Sequence, residues 1–346
     1  MSIFDFLMGF GSAGGTDREG RAALHDMRAA AKRGDVEAQL ALASAYIAGR
    51  GVPQDDALAL RWLRRAAEQV PTKETRDTVA AAQKRLGAMY AIGRGVRRDE
   101  TEAACWYRKA GELGDTEAQL CLGEFYRDGR GVAADGAAAV VWVGRAAAAG
   151  DANAQHLLGG MYAKGDCDLP QDGAEALIWF RKAASQDHPA AQSAIGVAYM
   201  SGYGVPQNRA VALLWLRKAA ERGDVPAQNR LGMAHLRGDG LPRDDRQAAG
   251  WFRLAAEQEH AGAQFNLGMM YNNGRGVVRD HAEAVGWFRR AADKGLAQAQ
   301  RVLALMYRDG VGVRRDEALA LSWHGMAQER AVAAEDVLSE VDFTAS

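Results

Sequence analysis

Residues 82–115 read AQKRLGAMYAIGRGVRRDETEAACWYRKAGELGD, and the spacing inside this stretch decides the fold. Ala82, Leu86, Met89 and Tyr90 fall on one face at helical spacing. Gly87 removes a side chain where a neighbouring helix comes close. Gly93 stands where the helix ends, in the left-handed cap position that glycine fills without strain. Gly95 supplies a second special backbone conformation in the turn. Asp99 opens another helix, and Glu102 three residues on completes a capping box. Along this second helix Ala103, Trp106 and Ala110 share a face. Gly114 ends it, and Asp115 caps whatever follows. The stretch is a helical hairpin, a helix A and a helix B joined by a tight glycine turn.

Outward from this stretch the pattern recurs. The eight tryptophans are Trp62, Trp106, Trp142, Trp179, Trp215, Trp251, Trp287 and Trp323, at spacings of 44, 36, 37, 36, 36, 36 and 36. An Ala-Gln pair keeps the same rhythm, ending at Gln39, Gln83, Gln119, Gln155, Gln192, Gln228, Gln264 and Gln300. Seven positions after the glutamine stand Tyr46, Tyr90, Tyr126, Tyr162, Tyr199, Tyr271 and Tyr307, with His235 there in the sixth copy. The capping box recurs as Asp172 with Glu175 and Asp280 with Glu283. The chain therefore holds eight copies of a 36-residue hairpin. One hairpin cannot bury its apolar face, but stacked copies can, which assigns the tryptophans to the core.

Composition agrees with this organisation. Forty glycines would oppose helix if scattered, since each costs about 1 kcal/mol against alanine in a helix interior. At helix ends they do not. A hydrophobic fraction of 48 % excludes a disordered chain, and a net charge of 43 − 44 = −1 argues against nucleic acid as partner. Cys105, Cys121 and Cys167 are too few and too scattered for a disulfide scaffold. No apolar run approaches the roughly 18 residues of a membrane span. The apolar Met1–Phe10 stretch lacks the basic start of a secretory signal, so the expected location is cytoplasmic, with periplasmic or secreted as the alternative.

The strings AQKRLGAMYAIGRGVRRD, AQLCLGEFYRDGRGV, AQSAIGVAYMSGYGVPQN and AQFNLGMMYNNGRGVVRD, with WLRKAAERGD and WFRRAADKG in helix B, resemble the Sel-1-like repeat (SLR), a relative of the tetratricopeptide repeat (TPR). The resemblance covers Ala38 to about Arg330. It implies an all-α, right-handed α-solenoid whose concave face serves as a scaffold for protein complexes and signalling. Bacterial members occur in envelope regulation, secretion and host interaction. A secreted branch carries a cysteine pattern that this chain lacks.

The expected organisation is an apolar N-terminal tail over 1–16, a capping helix over 17–36, eight repeats over 37–330 and a C-terminal cap and tail over 331–346. In the capping helix Asp26 takes the tryptophan position, as suits a helix with nothing stacked outside it. Eight extra residues, Val70–Asp77, separate the first two copies, about 2.2 helical turns. They predict a backward extension of the second helix A. The fourth copy has one extra residue in its turn, Gly165-Asp166-Cys167-Asp168-Leu169-Pro170. A thiol flanked by carboxylates hints at metal, but no second ligand cluster is visible and a lengthened turn suffices.

No catalytic constellation emerges. The seven histidines occupy different repeat positions and form no H-x-x-x-H pair. His235 is expected as an interior histidine. The recurring G-x-G lies between helices, outside the strand-to-helix context of a dinucleotide site. The expected chain is not an enzyme and takes no cofactor or metal. A basic ridge follows the tryptophans (Arg64-Arg65, Arg108-Lys109, Arg181-Lys182, Arg217-Lys218, Arg289-Arg290), where cations complement a helix C-terminus.

Function is sought where the copies differ. If Leu86, Met89 and Tyr90 face inward, the remaining variable positions of helix A line the concave groove. They are Arg85, Ala88 and Ile92, then Cys121, Glu124 and Asp128, then Leu157, Gly160 and Lys164. Ala194, Val197 and Ser201 continue the series, followed by Arg230, Met233 and Arg237, by Asn266, Met269 and Asn273, and by Val302, Leu305 and Asp309. The partner-binding set drawn from these is Arg85, Glu124, Asp128, Arg230, Met233, Arg237, Asn266, Met269 and Asn273. Methionines and asparagines beside charges suit a peptide or a partner helix. The plainer alternative is a merely solvated face. Phe4, Phe6, Leu7, Met8 and Phe10 ahead of Gly11–Gly15 read either as a tethered docking peptide or as a disordered terminus.

Overall fold

The computed structural model describes residues 17–339, and among them there are seventeen α-helices and no strand. The tail over 1–16 and residues 340–346 lie outside the described residues. The first helix, α1 (Asp17–Arg33), precedes the repeats. Helices A and B then alternate. The chain parts into two compact units between Ala183 and Ala184.

In the first unit the A helices are α2 (Val36–Ala48), α4 (Arg76–Ile92), α6 (Thr116–Asp128) and α8 (Ala152–Lys164). Their B partners are α3 (Asp56–Ala67), α5 (Glu100–Glu112), α7 (Gly136–Ala148) and α9 (Gly173–Ser185), the last ending just past the division. In the second unit α10 (Pro189–Ser201), α12 (Val225–Arg237), α14 (Ala261–Asn273) and α16 (Ala297–Asp309) are A helices. They pair with α11 (Arg209–Glu221), α13 (Asp245–Glu257), α15 (His281–Asp293) and α17 (Glu317–Ser339). The last helix B runs on without a break as far as Ser339, into the segment expected to hold the C-terminal cap and tail.

The turn is built as the glycines require. Gly93 caps α4 at φ 75°, and the N–H groups of Gly93 and Arg94 both donate to the Met89 carbonyl at 2.9 Å. Gly95 has a second reason to be glycine. A Cβ there would lie 2.5 Å from the carbonyl oxygen of Asp56, in the first turn of the preceding helix B. The turn closes when the Asp99 N–H donates to the Tyr90 carbonyl at 3.0 Å, and the side chain of Asp99 then caps α5 through the N–H groups of Thr101 and Glu102.

That closure changes the reading of the capping box. The cap N–H is already taken by the tyrosine carbonyl, so the glutamate is free to turn elsewhere. Glu175 and Glu283 accept the indole N–H of Trp179 and Trp287, at 2.9 and 3.0 Å, one turn along the same helix.

The core is also shifted by one residue from expectation. Trp106 and Trp287 are buried, but Trp62, Trp142, Trp179, Trp215, Trp251 and Trp323 are only half-buried. After seven of the eight tryptophans the next residue is fully part of the core: Leu63, Tyr107, Val143, Phe180, Leu216, Phe252 and Phe288 are all buried, whereas His324 after Trp323 is exposed. In α4 and α5, the side chain that Gly87 makes room for is the ring of Tyr107. The six half-buried indoles lie at the rim, where an amphipathic ring can keep one edge toward solvent.

The insertion before the second copy extends helix A by one turn, not two. Helix α4 has 17 residues against 13 in α6, and it starts at Arg76. The rest forms a compact turn in which the Thr72 N–H donates to Thr75 Oγ1 at 2.9 Å, so Thr75 makes no cap to the helix.

Candidate functional site

The polar residues common to the copies serve the architecture. Each glutamine of the Ala-Gln pair is buried, and in seven of the eight the side-chain amide donates to a carbonyl at the end of the preceding helix. Gln83 donates to Ala67 at 3.0 Å, Gln119 to Gly111 at 2.9 Å, Gln228 to Ala220 at 3.1 Å and Gln300 to Ala292 at 3.2 Å. Those carbonyls are the orphans that every helix C-terminus leaves.

The basic ridge divides into two structural roles. The cation three residues after the tryptophan covers its ring, as Lys109 does over Trp106 at 4.0 Å and Arg290 over Trp287 at 4.6 Å. The arginine two residues after it donates to the tyrosine hydroxyl of the next helix A. Arg64 meets Tyr90, Arg108 meets Tyr126, Arg253 meets Tyr271 at 2.6 Å, and Arg289 meets Tyr307. His235 interrupts this series. Burial first, and the positive charge of Arg217 second, hold its pKa below the ordinary histidine value.

A third link sits in the turn. Arg94 pairs with Asp56 at 2.9 Å, Arg130 with Glu100 at 3.0 Å and Arg275 with Asp245 at 2.9 Å, each tying a turn to the helix B before it. The pairs with Arg275 and Arg243 hold the Asp245 carboxyl well below the usual carboxylate range. In the sixth copy the signs are exchanged: Asp239 in the turn meets Arg209 at 2.6 Å.

The A-helix face remains. In the first unit Arg85 is half-buried and donates to Ser44 Oγ of the neighbouring helix A. Glu124 is half-buried, and Asp128 is exposed and paired with Arg127 at 2.8 Å, which lowers its pKa. Burial, and then the Glu124 charge, push the Cys121 thiol up to about 11. In the second unit Arg230, Arg237 and Asn273 are exposed. Asn266 donates to Asn229 Oδ1 at 3.2 Å and lies 3.5 Å from Met233 Sδ, so Asn266 and Met233 of successive A helices touch. Met233 and Met269 are half-buried and lean on the cores beneath them. Ile92 and Leu305 on the A helices are 69 % and 49 % exposed. Of the expected partner-binding residues, the structure brings Asn266 and Met233 into contact, while Arg85 and Asp128 bond to residues outside the set.

Two features escaped the sequence reading. His188 and His260 share one repeat position, the helix A N-cap, where Nδ1 accepts from the N–H of Ala191 at 3.1 Å and Ala263 at 3.0 Å. Aligning the cap column, where Asp35, Asp115, Asp151 and Asp224 do the same work, exposes the substitution. The residue before each tryptophan is the other. Val141, Ile178 and Leu214 are 51, 46 and 62 % exposed there. Cys167 and Asp168 both take left-handed backbone conformations, φ 59° and 62°, which is how the longer turn absorbs its extra residue. Among the described residues no group of three His, Cys, Asp or Glu side chains is placed to hold a metal.

The Sel1 repeat family matches the chain eight times, over 36–70, 80–115, 116–151, 152–188, 189–224, 225–260, 261–296 and 297–328. The chain belongs to the Sel1 repeat family. Such Sel1 repeat proteins are α-solenoids that generally act as protein-interaction scaffolds and are generally non-enzymatic. This Sel1 repeat protein is 34 % identical to c5321, a protective antigen present in uropathogenic Escherichia coli strains displaying an SLR fold, with a TM-score of 0.74 over 89 % of the present chain. It spans 64 % of that antigen's length. It is also 34 % identical to a Sel1 repeat protein from Oxalobacter formigenes, with a TM-score of 0.71, covering 88 % of this chain and 85 % of the other. No curated protein matches it. No helix among the described residues is long and apolar enough to cross a membrane.

Proposed function

We propose that this Sel1 repeat protein is a non-enzymatic adaptor that holds a partner peptide or helix along the concave, A-helix face, in signalling or complex assembly. One observation carries the reading. The shared polar residues of the repeat are engaged in holding copies together, whereas the A-face positions differ from copy to copy and still meet across successive helices, as Asn266 does with Met233. A surface that does not repeat from copy to copy is what selects one partner sequence over another. Polarizable methionine beside asparagine and exposed arginine suits a mixed apolar and acidic segment.

The test is Arg230→Glu with Arg237→Glu, followed by crosslinking and mass spectrometry of captured partners. Crosslinks on the A helices that vanish in the double variant support the reading. A partner retained through reversal of all the charged A-face positions overturns it.

A second reading makes the chain an exported or host-facing protein, favoured by its likeness to a protective antigen. Fractionation decides: recovery of the intact Met1 terminus in the cytoplasm sinks the exported reading, and recovery outside it sinks the cytoplasmic one.

A further inference from the structure

The junction between α1 and α3 departs from every other junction in charge. Four repeat positions show it: two and six residues after the tryptophan position of one helix B (Asp26 in α1), and one before and three after that of the next. At the first junction these four are Arg28, Lys32, Arg61 and Arg65, and all are cations. At the second they are Arg64, Glu68, Cys105 and Lys109, and at the third Arg108, Glu112, Val141 and Arg145. The seventh has Arg253, Glu257, Gly286 and Arg290. Across copies two to eight the four residues sum to between 0 and +2, against +4 at the first. The position that holds an acid at five of the other seven junctions has become Lys32, and a position neutral at the other seven has become Arg61.

The four cations line a hollow of about 320 Å³ with Tyr46 and Trp62, and no carboxylate lines it. Arg28 donates to the Tyr46 hydroxyl at 3.2 Å, and Arg65 stacks 4.9 Å from the Trp62 centroid. Lys32 and Arg61 are exposed. A helix C-terminus accounts for Lys32, in the last turn of α1. It does not account for Arg61, which stands in the middle of α3. Four like charges around an aromatic-floored recess form an anion site with an apolar base.

The chain itself supplies a matching occupant. Residues 331–346 contain Glu335, Asp336, Glu340 and Asp342 and no lysine or arginine, and Val341 and Phe343 alternate with the last two acids. We propose that the hollow takes this acidic segment from a second copy of the chain, with Glu340 and Asp342 against the cations and Phe343 against Trp62. Carboxylates pair with arginine by charge-assisted hydrogen bonds, and a phenyl ring has apolar surface to bury on the indole. The interface is small and polar, so the association is weak and falls with salt.

The experiment is light scattering and sedimentation of the full chain over a dilution series at low and high salt. Three variants accompany it: Lys32→Glu with Arg61→Glu, Glu340→Lys with Asp342→Lys, and the two pairs combined. Circular dichroism melts show that each folds. The expected result is salt-sensitive self-association that weakens about tenfold or more in either pair and recovers in the combination, the size set by losing two charge contacts. A chain that stays monomeric throughout overturns the proposal. So does association untouched by either pair, or lost in the two pairs without recovery in the combination.

Discussion

The side-chain amide of Gln264 donates to the carbonyl oxygen of Ala256 at 3.1 Å, and both lie in the interior between α13 and α14. The bond satisfies one of the last carbonyls of one helix with the first turn of the next. Replacing one partner leaves the other buried and unbonded, which costs about 1–3 kcal/mol. Gln264→Met keeps most of the volume and removes the donor, so the unfolding free energy from urea denaturation falls by an amount in that range, seen as a lower midpoint. An unchanged midpoint would show that water reaches the Ala256 carbonyl.

His235 stands where other copies set a tyrosine hydroxyl against the arginine of the preceding helix B. His235→Tyr gives Arg217 the partner that Arg253 has in Tyr271. A restored charge-assisted bond at this buried position is worth about 1 kcal/mol. Thermal melts should place the variant above the parent, and a lower melting temperature would mean that the sixth copy has repacked around the imidazole.

Protonation of His260 removes the Nδ1 lone pair that caps α14. Burial, aided by the Arg230 charge, holds its pKa below the ordinary value of about 6.5. For a base depressed on folding, the unfolded chain binds the proton first. The associated stability is whole above the ordinary histidine value and is lost as pH falls through it toward the depressed one. His260→Asn retains a capping acceptor and cannot titrate. Melting temperatures between neutral pH and pH 5 should fall less steeply in this variant. Equal slopes would remove His260 from the account.

Glu259 and Asp187 hold left-handed conformations, φ 64° and 62°, at the position where Gly114, Gly150 and Gly223 stand in other copies. Each has an ion pair in exchange, Glu259 with Lys294 at 2.9 Å and Asp187 with Arg222 at 2.6 Å. These pairs are exposed and contribute little, whereas left-handed backbone strain costs about 1–2 kcal/mol. Glu259→Gly therefore gains stability, seen as a higher midpoint in chemical denaturation. A loss would show the ion pair to be the stronger of the two.

The hairpin, its turn and its period were legible because glycine, glutamine and tryptophan recur at fixed intervals, and few folds tolerate such spacing. The deeper core residue was harder to see, since Leu63, Val143, Phe180 and Phe252 share only bulk, while the conspicuous tryptophan lies at the rim. The role of Glu175 and Glu283 was hidden because a backbone bond between turn and helix, invisible in the letters, had already filled the capping site. The A-face residues are a different case. They vary between copies, so no internal repetition discloses what they touch, and only coordinates brought Asn266 beside Met233.

The exchanged signs of the sixth copy make the loss of one whole repeat unlike the loss of another. Excising residues 80–115 would set Arg130 against Asp56, a matched pair. Excising residues 225–260 would set Arg275 against Arg209, two guanidinium groups in a seat built for opposite charges. The sixth copy thus carries an address. Its acidic turn matches the arginine of the copy before it, so the place of the sixth copy after the fifth is marked by charge.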